Sequence, residues 1–154
     1  MVEEVNLIKK GGNYGWSRYE GVEVHRTDKP DIPDRVPPTM AYYRTFIDPA
    51  CVIGGYVYRS SMNPCLEGTY LFADYFGVLI QGKEVAAGSD VWNLYKVSTK
   101  CASTSPKACR TLDIVFSFGQ DRDNNMYILA KDVSCSSTQI WSNLTQIFKN
   151  SGCI

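Results

Sequence analysis

Apolar and polar residues alternate with a period of two along much of this chain, the spacing that sends successive side chains to opposite faces of a strand. Residues 51–59 (CVIGGYVYR) predict a strand, and residues 62–68, with Asn63-Pro64 and Gly68, predict the turn that follows it. Residues 69–75 (TYLFADY), 77–84 (GVLIQGKE) and 91–98 (VWNLYKVS) predict three more strands, the last two separated by a turn at residues 86–90 (AAGSD). Residues 112–118, 126–131 and 139–143 repeat the pattern further on, and residues 4–8 and 13–19 precede it. Residues 26–38 (RTDKPDIPDRVPP) carry four prolines among mixed charges and predict a long surface loop. In residues 139–150 (QIWSNLTQIFKN), Ile140, Trp141, Leu144, Ile147 and Phe148 also fit one stripe of a helix.

The elements together predict an all-β chain. Four successive antiparallel strands of this length make one blade of a β-propeller. Residues 51–98 would be a full blade and residues 99–143 most of a second. Residues 1–50 would end an earlier blade and carry the proline-rich loop, leaving residues 144–154 as a tail. That is about two and a half blades of four strands each, too few to close a ring. Open strand edges pair with other chains, so further blades or another chain are the expected partners.

A chain of 154 residues can bury a real core. Sixteen basic residues balance sixteen acidic ones, which speaks against a nucleic-acid groove or a polybasic membrane patch. The sequence has no run of about 18 apolar residues, so no membrane-spanning helix is expected. Ten Tyr, three Trp and twelve Gly suit strands joined by turns. Six cysteines point to an oxidising compartment. Cys101 and Cys109 flank a short loop and are the expected pair, while Cys135 and Cys153 would tie down the tail. Cys51 and Cys65 bracket a strand whose ends lie roughly 25 Å apart, which opposes their direct pairing. Asn143-Leu144-Thr145 is a glycosylation sequon and adds to the case for secretion. Met-Val-Glu-Glu is acidic and not signal-like, so a secretory signal would lie upstream.

One stretch is denser in information than the rest. Residues 3–16 (EEVNLIKKGGNYGW) run from a short apolar strand into a glycine-packed turn that presents Tyr14 and Trp16, which an extended chain would point to one face. The stretch resembles a signature of the soluble quinoprotein glucose/sorbosone dehydrogenase family and its Hedgehog-interacting-protein-like relatives, an acidic pair followed by x-N-L-I-x-K-G-G-N-Y-G-W. Further resemblances follow in family order: residues 54–59 (GGYVYR), 64–75 (PCLEGTYLFADY), 116–121 (FSFGQD) and 126–129 (MYIL). The resemblance implies a six-bladed propeller of which this chain would be the C-terminal portion, with a strand rather than a helix as far as Asn143. It also implies quinone-dependent oxidation of sugars, with pyrroloquinoline quinone and calcium as cofactors.

Few residues here carry that chemistry. Much of the family's quinone and calcium site lies before the Asn-Leu-Ile strand; Glu3 and Glu4 match the acidic positions that close it, and Glu3 is the residue carried over. Arg110 falls near one of the family's quinone-facing arginines, whereas residues 74–76 (DYF) lack the family's lysine. His25, the single histidine, lies in a polar loop without a nucleophile context and is expected to be solvated. Asp121, Asp123 and Asn125 imitate the start of a calcium loop, but Met126 and Asp132 stand where that loop needs glycine and glutamate. A β-turn is the expectation there. Tyr14, Trp16, Tyr56 and Tyr58 could stack on a sugar, although packing is the commoner use of such rings. The chain alone is therefore expected to lack catalysis. The alternative is an extracellular module that binds a protein or a glycan.

Overall fold

The structure, a computed structural model, describes residues 2–47, 50–97 and 112–131, and the backbone of residues 140–143. Eleven strands and one short 3-10 turn, Pro64–Leu66, make up its regular elements. In chain order the strands are β1 (Val2–Val5), β2 (Tyr19–Glu20), β3 (Glu23–Val24), β4 (Met40–Tyr43), β5 (Val52–Val57) and β6 (Tyr70–Asp74). They continue with β7 (Leu79–Glu84), β8 (Trp92–Lys96), β9 (Ile114–Gln120), β10 (Met126–Lys131) and β11 (Ile140–Asn143). All-β is therefore correct. Among the described residues the strands form four separate antiparallel sheets, ordered β1-β4, β2-β3, β5-β6-β7-β8 and β11-β10-β9.

The chain divides into two compact units, residues 1–50 with 84–93, and residues 51–83 with 94–154. In the second unit the alternation read from sequence is literal on β10: Met126, Ile128 and Ala130 are buried and Lys131 is exposed. Strand β6 differs, because Leu71, Phe72, Ala73 and Asp74 are all shielded from solvent. Covered on both faces, it is apolar except at its end, Asp74. Each buried leucine there contributes about 1.5–3 kcal/mol. The register between β5 and β6 shifts at Gly54-Gly55, between Ile53 and Tyr56. The Val115 N–H donates to the Tyr75 carbonyl at 2.9 Å, tying β9 to the end of β6. The Ser60 hydroxyl reaches Asn125 Oδ1 at 2.7 Å. At the β6–β7 turn, the buried Asp74 carboxylate accepts the N–H groups of Cys51 at 2.8 Å and Phe76 at 3.1 Å. A buried carboxylate survives through such bonds.

In the first unit the expected strand at residues 4–8 begins and ends earlier, as β1, and pairs antiparallel with β4 through Glu3↔Tyr42 and Val5↔Met40. Side-chain bonds end it: the Asn6 amide turns back to Glu4 Oε1 at 3.0 Å, and the Leu7 N–H goes to the Thr39 hydroxyl at 3.0 Å. Residues 13–19 are not a strand; only Tyr19 enters one. Residues 26–38 form the expected loop without a strand. The loop is held at its far end, where the Val36 N–H donates to the Asn13 carbonyl at 2.7 Å.

Cys51 is a free, exposed thiol, whereas Cys65 is disulfide-bonded, so these two do not pair with each other. Cys101, Cys109, Cys135, Cys153, Arg110 and the tail after Asn143 lie outside the described residues. Asn143 ends β11 opposite Tyr127.

Candidate functional site: an exposed tryptophan stacked on histidine

The turn before Trp16 is built by its own polar groups. Gly12 N–H donates to the Lys9 carbonyl at 3.0 Å. The Tyr14 hydroxyl donates to the Leu7 carbonyl at 3.0 Å and accepts the Lys9 N–H. Asn13 Oδ1 takes the Gly15 N–H at 3.0 Å, and Gly15 stands at φ 96, where a side chain would be strained. That reversal breaks the alternation expected of an extended chain. Tyr14 is used up in bracing the turn, and Trp16 emerges 71% exposed.

Trp16 lies against His25, with ring centroids 5.3 Å apart and planes 20° from parallel. Such a stack contributes about 0.5–1.5 kcal/mol beyond area burial. The β2–β3 hairpin delivers the histidine. Its register pairs Tyr19 with Val24 and Glu20 with Glu23, and the His25 N–H donates to the Arg18 carbonyl at 2.9 Å. Arg18 and His25 therefore stand opposite one another on the face that also carries Glu20 and Glu23. Glu20 Oε2 lies 3.5 Å from His25 Nδ1, and Glu23 is bonded to the Tyr43 hydroxyl, which holds that phenol above its ordinary value. The Glu23 bond relieves the repulsion of the paired glutamates.

The other face of the hairpin is braced. Arg35 sits 3.9 Å from the centroid of the Tyr19 ring and reaches the Gly21 carbonyl at 3.3 Å. The Tyr19 hydroxyl donates to Asp31, and that bond is the main reason the Asp31 carboxyl sits below the ordinary carboxylate range. Arg26 grips Asp28 with two bonds, at 3.0 and 2.7 Å, and lowers that carboxyl in the same way. Arg18 Nη1 donates to the Arg26 carbonyl at 2.7 Å, while its Nε is buried without a hydrogen-bond partner.

The remaining candidates fare differently. His25 is in the loop after β3, as expected, but it is also the support of Trp16. The short hairpin signal Tyr-Glu-Gly-Val-Glu-Val would have located it. Tyr58 is fully buried in the core of the second unit, whereas Tyr56 is 39% exposed on β5. Glu3 stands in β1 opposite Tyr42. Glu4 gives its carboxylate to the Gly21 N–H at 2.8 Å and to Asn6. Among the described residues no group of three His, Cys, Asp or Glu side chains could hold a metal.

The Asp121–Asn125 segment is the expected turn. The Asp121 carboxylate accepts from the Asp123 and Asn125 N–H groups, the Asn125 amide and the Tyr127 hydroxyl at 2.8–3.0 Å. The Asn125 amide leads in lowering its proton affinity, burial opposes it as the next largest effect, and the remaining bonds bring the net shift down. A carboxyl lowered in the folded state adds stability above its unfolded value, near 3.8 here, and that stability drains away as pH falls through the folded value. Asp121→Asn is therefore expected to flatten the acid side of a melting-temperature profile taken between about pH 2 and 5. Parallel profiles for the variant and the parent would dismiss the role.

No family model matches the chain. It is 37% identical, over 150 aligned residues, to the HIPL1 protein of Arabidopsis thaliana, covering 84% of this chain and 22% of that protein. The HIPL2 protein of the same plant is 32% identical over 148 residues, with 82% and 21% covered. The chain thus spans about a fifth of the length of these curated relatives. Over most of its own length it is similar to these two HIPL proteins.

Proposed function

We propose that the chain is part of an extracellular HIPL-like protein with a glucose/sorbosone dehydrogenase-like propeller, and that its own contribution is to hold a carbohydrate on the Trp16–His25 platform. The observation that carries this reading is the 71% exposed indole, fixed from behind by a stacked imidazole. An exposed, oriented aromatic face suits the C–H face of a pyranose, and the flanking polar groups suit its hydroxyls. The four consecutive strands β5 to β8 and the ordered motifs support the propeller. The Cys65 disulfide supports an oxidising compartment.

Quinone-dependent sugar oxidation, in this reading, is work of the whole protein. The described residues offer no group of three His, Cys, Asp or Glu side chains that could hold calcium. Saturation-transfer NMR with glucose tests the platform. Magnetisation should pass from the protein to the ring protons of the sugar. Absence of transfer at tens of millimolar glucose, on the order of the weakest useful affinities, would remove the carbohydrate reading. A protein-binding role would then gain, and one observation favours it: Leu7 and Ile8 are 63% and 75% exposed beside Lys9 and Lys10.

A further inference from the structure

We infer that residues 7–10 dock the protein on an anionic lipid surface: Leu7 and Ile8 enter the outer layer of the bilayer, and Lys9 and Lys10 meet its charged headgroups. The inference goes beyond the carbohydrate reading and does not depend on it.

Leu7 and Ile8 are adjacent, and they are 63% and 75% exposed. Neighbouring side chains diverge in a chain that is not helical, and residues 6–9 are not. Exposure of both therefore makes the segment a ridge that stands clear on either side. Its backbone is tied down. The Leu7 N–H goes to the Thr39 hydroxyl, and the Tyr14 hydroxyl holds both the Leu7 carbonyl and the Lys9 N–H. The Gly12 N–H closes a turn onto the Lys9 carbonyl, with Gly11 at φ 75 as the third residue of that turn. The ridge is preformed, so little order is lost when it is covered.

Charge selects what covers it. The whole chain is neutral, yet no acidic residue occurs from position 5 to position 19. Lys9 and Lys10 are exposed and form no ion pair among the described residues. Glu4, the nearest carboxylate in sequence, is engaged by the Asn6 amide and the Gly21 N–H. Two aliphatic side chains followed at once by two unpaired cations suit a membrane interface, with the apolar part below the headgroups and the ammonium groups among them. Two lysines are too few to attach a protein by charge alone, so the aliphatic pair has to enter as well. A protein partner would need a groove shaped to the ridge and rimmed with carboxylates. A fluid bilayer needs no matching shape, and it is the occupant these residues favour.

The test is co-sedimentation of the whole 154-residue chain with vesicles of phosphatidylcholine alone and of phosphatidylcholine mixed with phosphatidylserine. Each lysine near an anionic surface contributes about fivefold, so the mixed vesicles should bind the chain more than about tenfold better than the neutral ones. Lys9→Gln/Lys10→Gln should remove that preference. Leu7→Ser/Ile8→Ser should weaken binding to the mixed vesicles at least about tenfold. All four side chains are exposed, so both variants should melt with the parent. Failure of the parent to sediment with either vesicle would overturn the inference, leave the ridge to a protein partner and leave the carbohydrate reading untouched. Parental binding by Leu7→Ser/Ile8→Ser, or an anionic preference that survives Lys9→Gln/Lys10→Gln, would overturn it as well. Self-association of the parent without vesicles, lost in Leu7→Ser/Ile8→Ser, would give the ridge to a second copy and overturn it too.

Discussion

Gly77→Ala is expected to destabilise the second unit by about 2–5 kcal/mol, a large share of the roughly 5–15 kcal/mol that holds a domain folded. Two causes add. Gly77 stands at φ +84, and a left-handed residue with a Cβ costs about 1–2 kcal/mol. A Cβ built there would also overlap the Leu112 carbonyl oxygen, and forcing backbone apart in a packed region costs about 1–3 kcal/mol more. The clash has no flexible side chain to absorb it. The turn is pinned by Asp74, whose carbonyl takes the Gly77 N–H and whose carboxylate takes the Phe76 N–H. Gly68→Ala is the control. Its φ is +76, but nothing lies within 4 Å of the added carbon, so only the conformational cost remains, about 1–2 kcal/mol. Urea midpoints of the two variants would separate the terms. Equal shifts would mean that the close approach to Leu112 is unimportant.

Trp16→Ala is expected to lower carbohydrate affinity at least tenfold, about 1.4 kcal/mol, while costing in stability no more than its ring stack, about 0.5–1.5 kcal/mol. The indole is mostly exposed, so its removal forfeits little packing. Only the stack on His25 is lost from the folded state. Trp16→Phe retains a ring and should recover part of the affinity. A titration of glucose against all three proteins, with thermal melting in parallel, makes the comparison. Parental affinity in Trp16→Ala would place any sugar site elsewhere.

What the sequence revealed, and what it hid, follows from the range of the interactions involved. Strand β10 was legible because it has one covered face, so burial and period coincide at Met126, Ile128 and Ala130. Strand β6 was legible for the opposite reason: three consecutive shielded apolar residues, Leu71, Phe72 and Ala73, make a short run that ends at Asp74 and a turn. The loop at residues 26–38 was evident from its prolines. The N-terminal strand was displaced because Asn6 turns back to Glu4 and the Leu7 N–H goes to Thr39, 32 positions away, diverting the backbone after Val5. Tyr14 and Trp16 were expected to share a face, and the inverted backbone at Gly15 separates their uses. The pairing of Trp16 with His25 spans nine positions of sequence and depends on a hairpin with two-residue strands, too short for any periodicity to register. Motif resemblance anticipated the similarity to the HIPL proteins without indicating which aromatic would be left open.

The proline-rich loop has a consequence for how fast and how cheaply this surface could work. It is long and polar, yet Arg35 rests on Tyr19, Tyr19 bonds Asp31, and Val36 is tied back to Asn13. Prolines restrict the rest of its backbone before any ligand arrives. A wall already in place has little freedom left to surrender, so a molecule settling beside it would meet a small entropic toll and no waiting step for closure. Capture there would run at the pace of encounter, and selectivity would have to come from how quickly a poorly fitting molecule leaves.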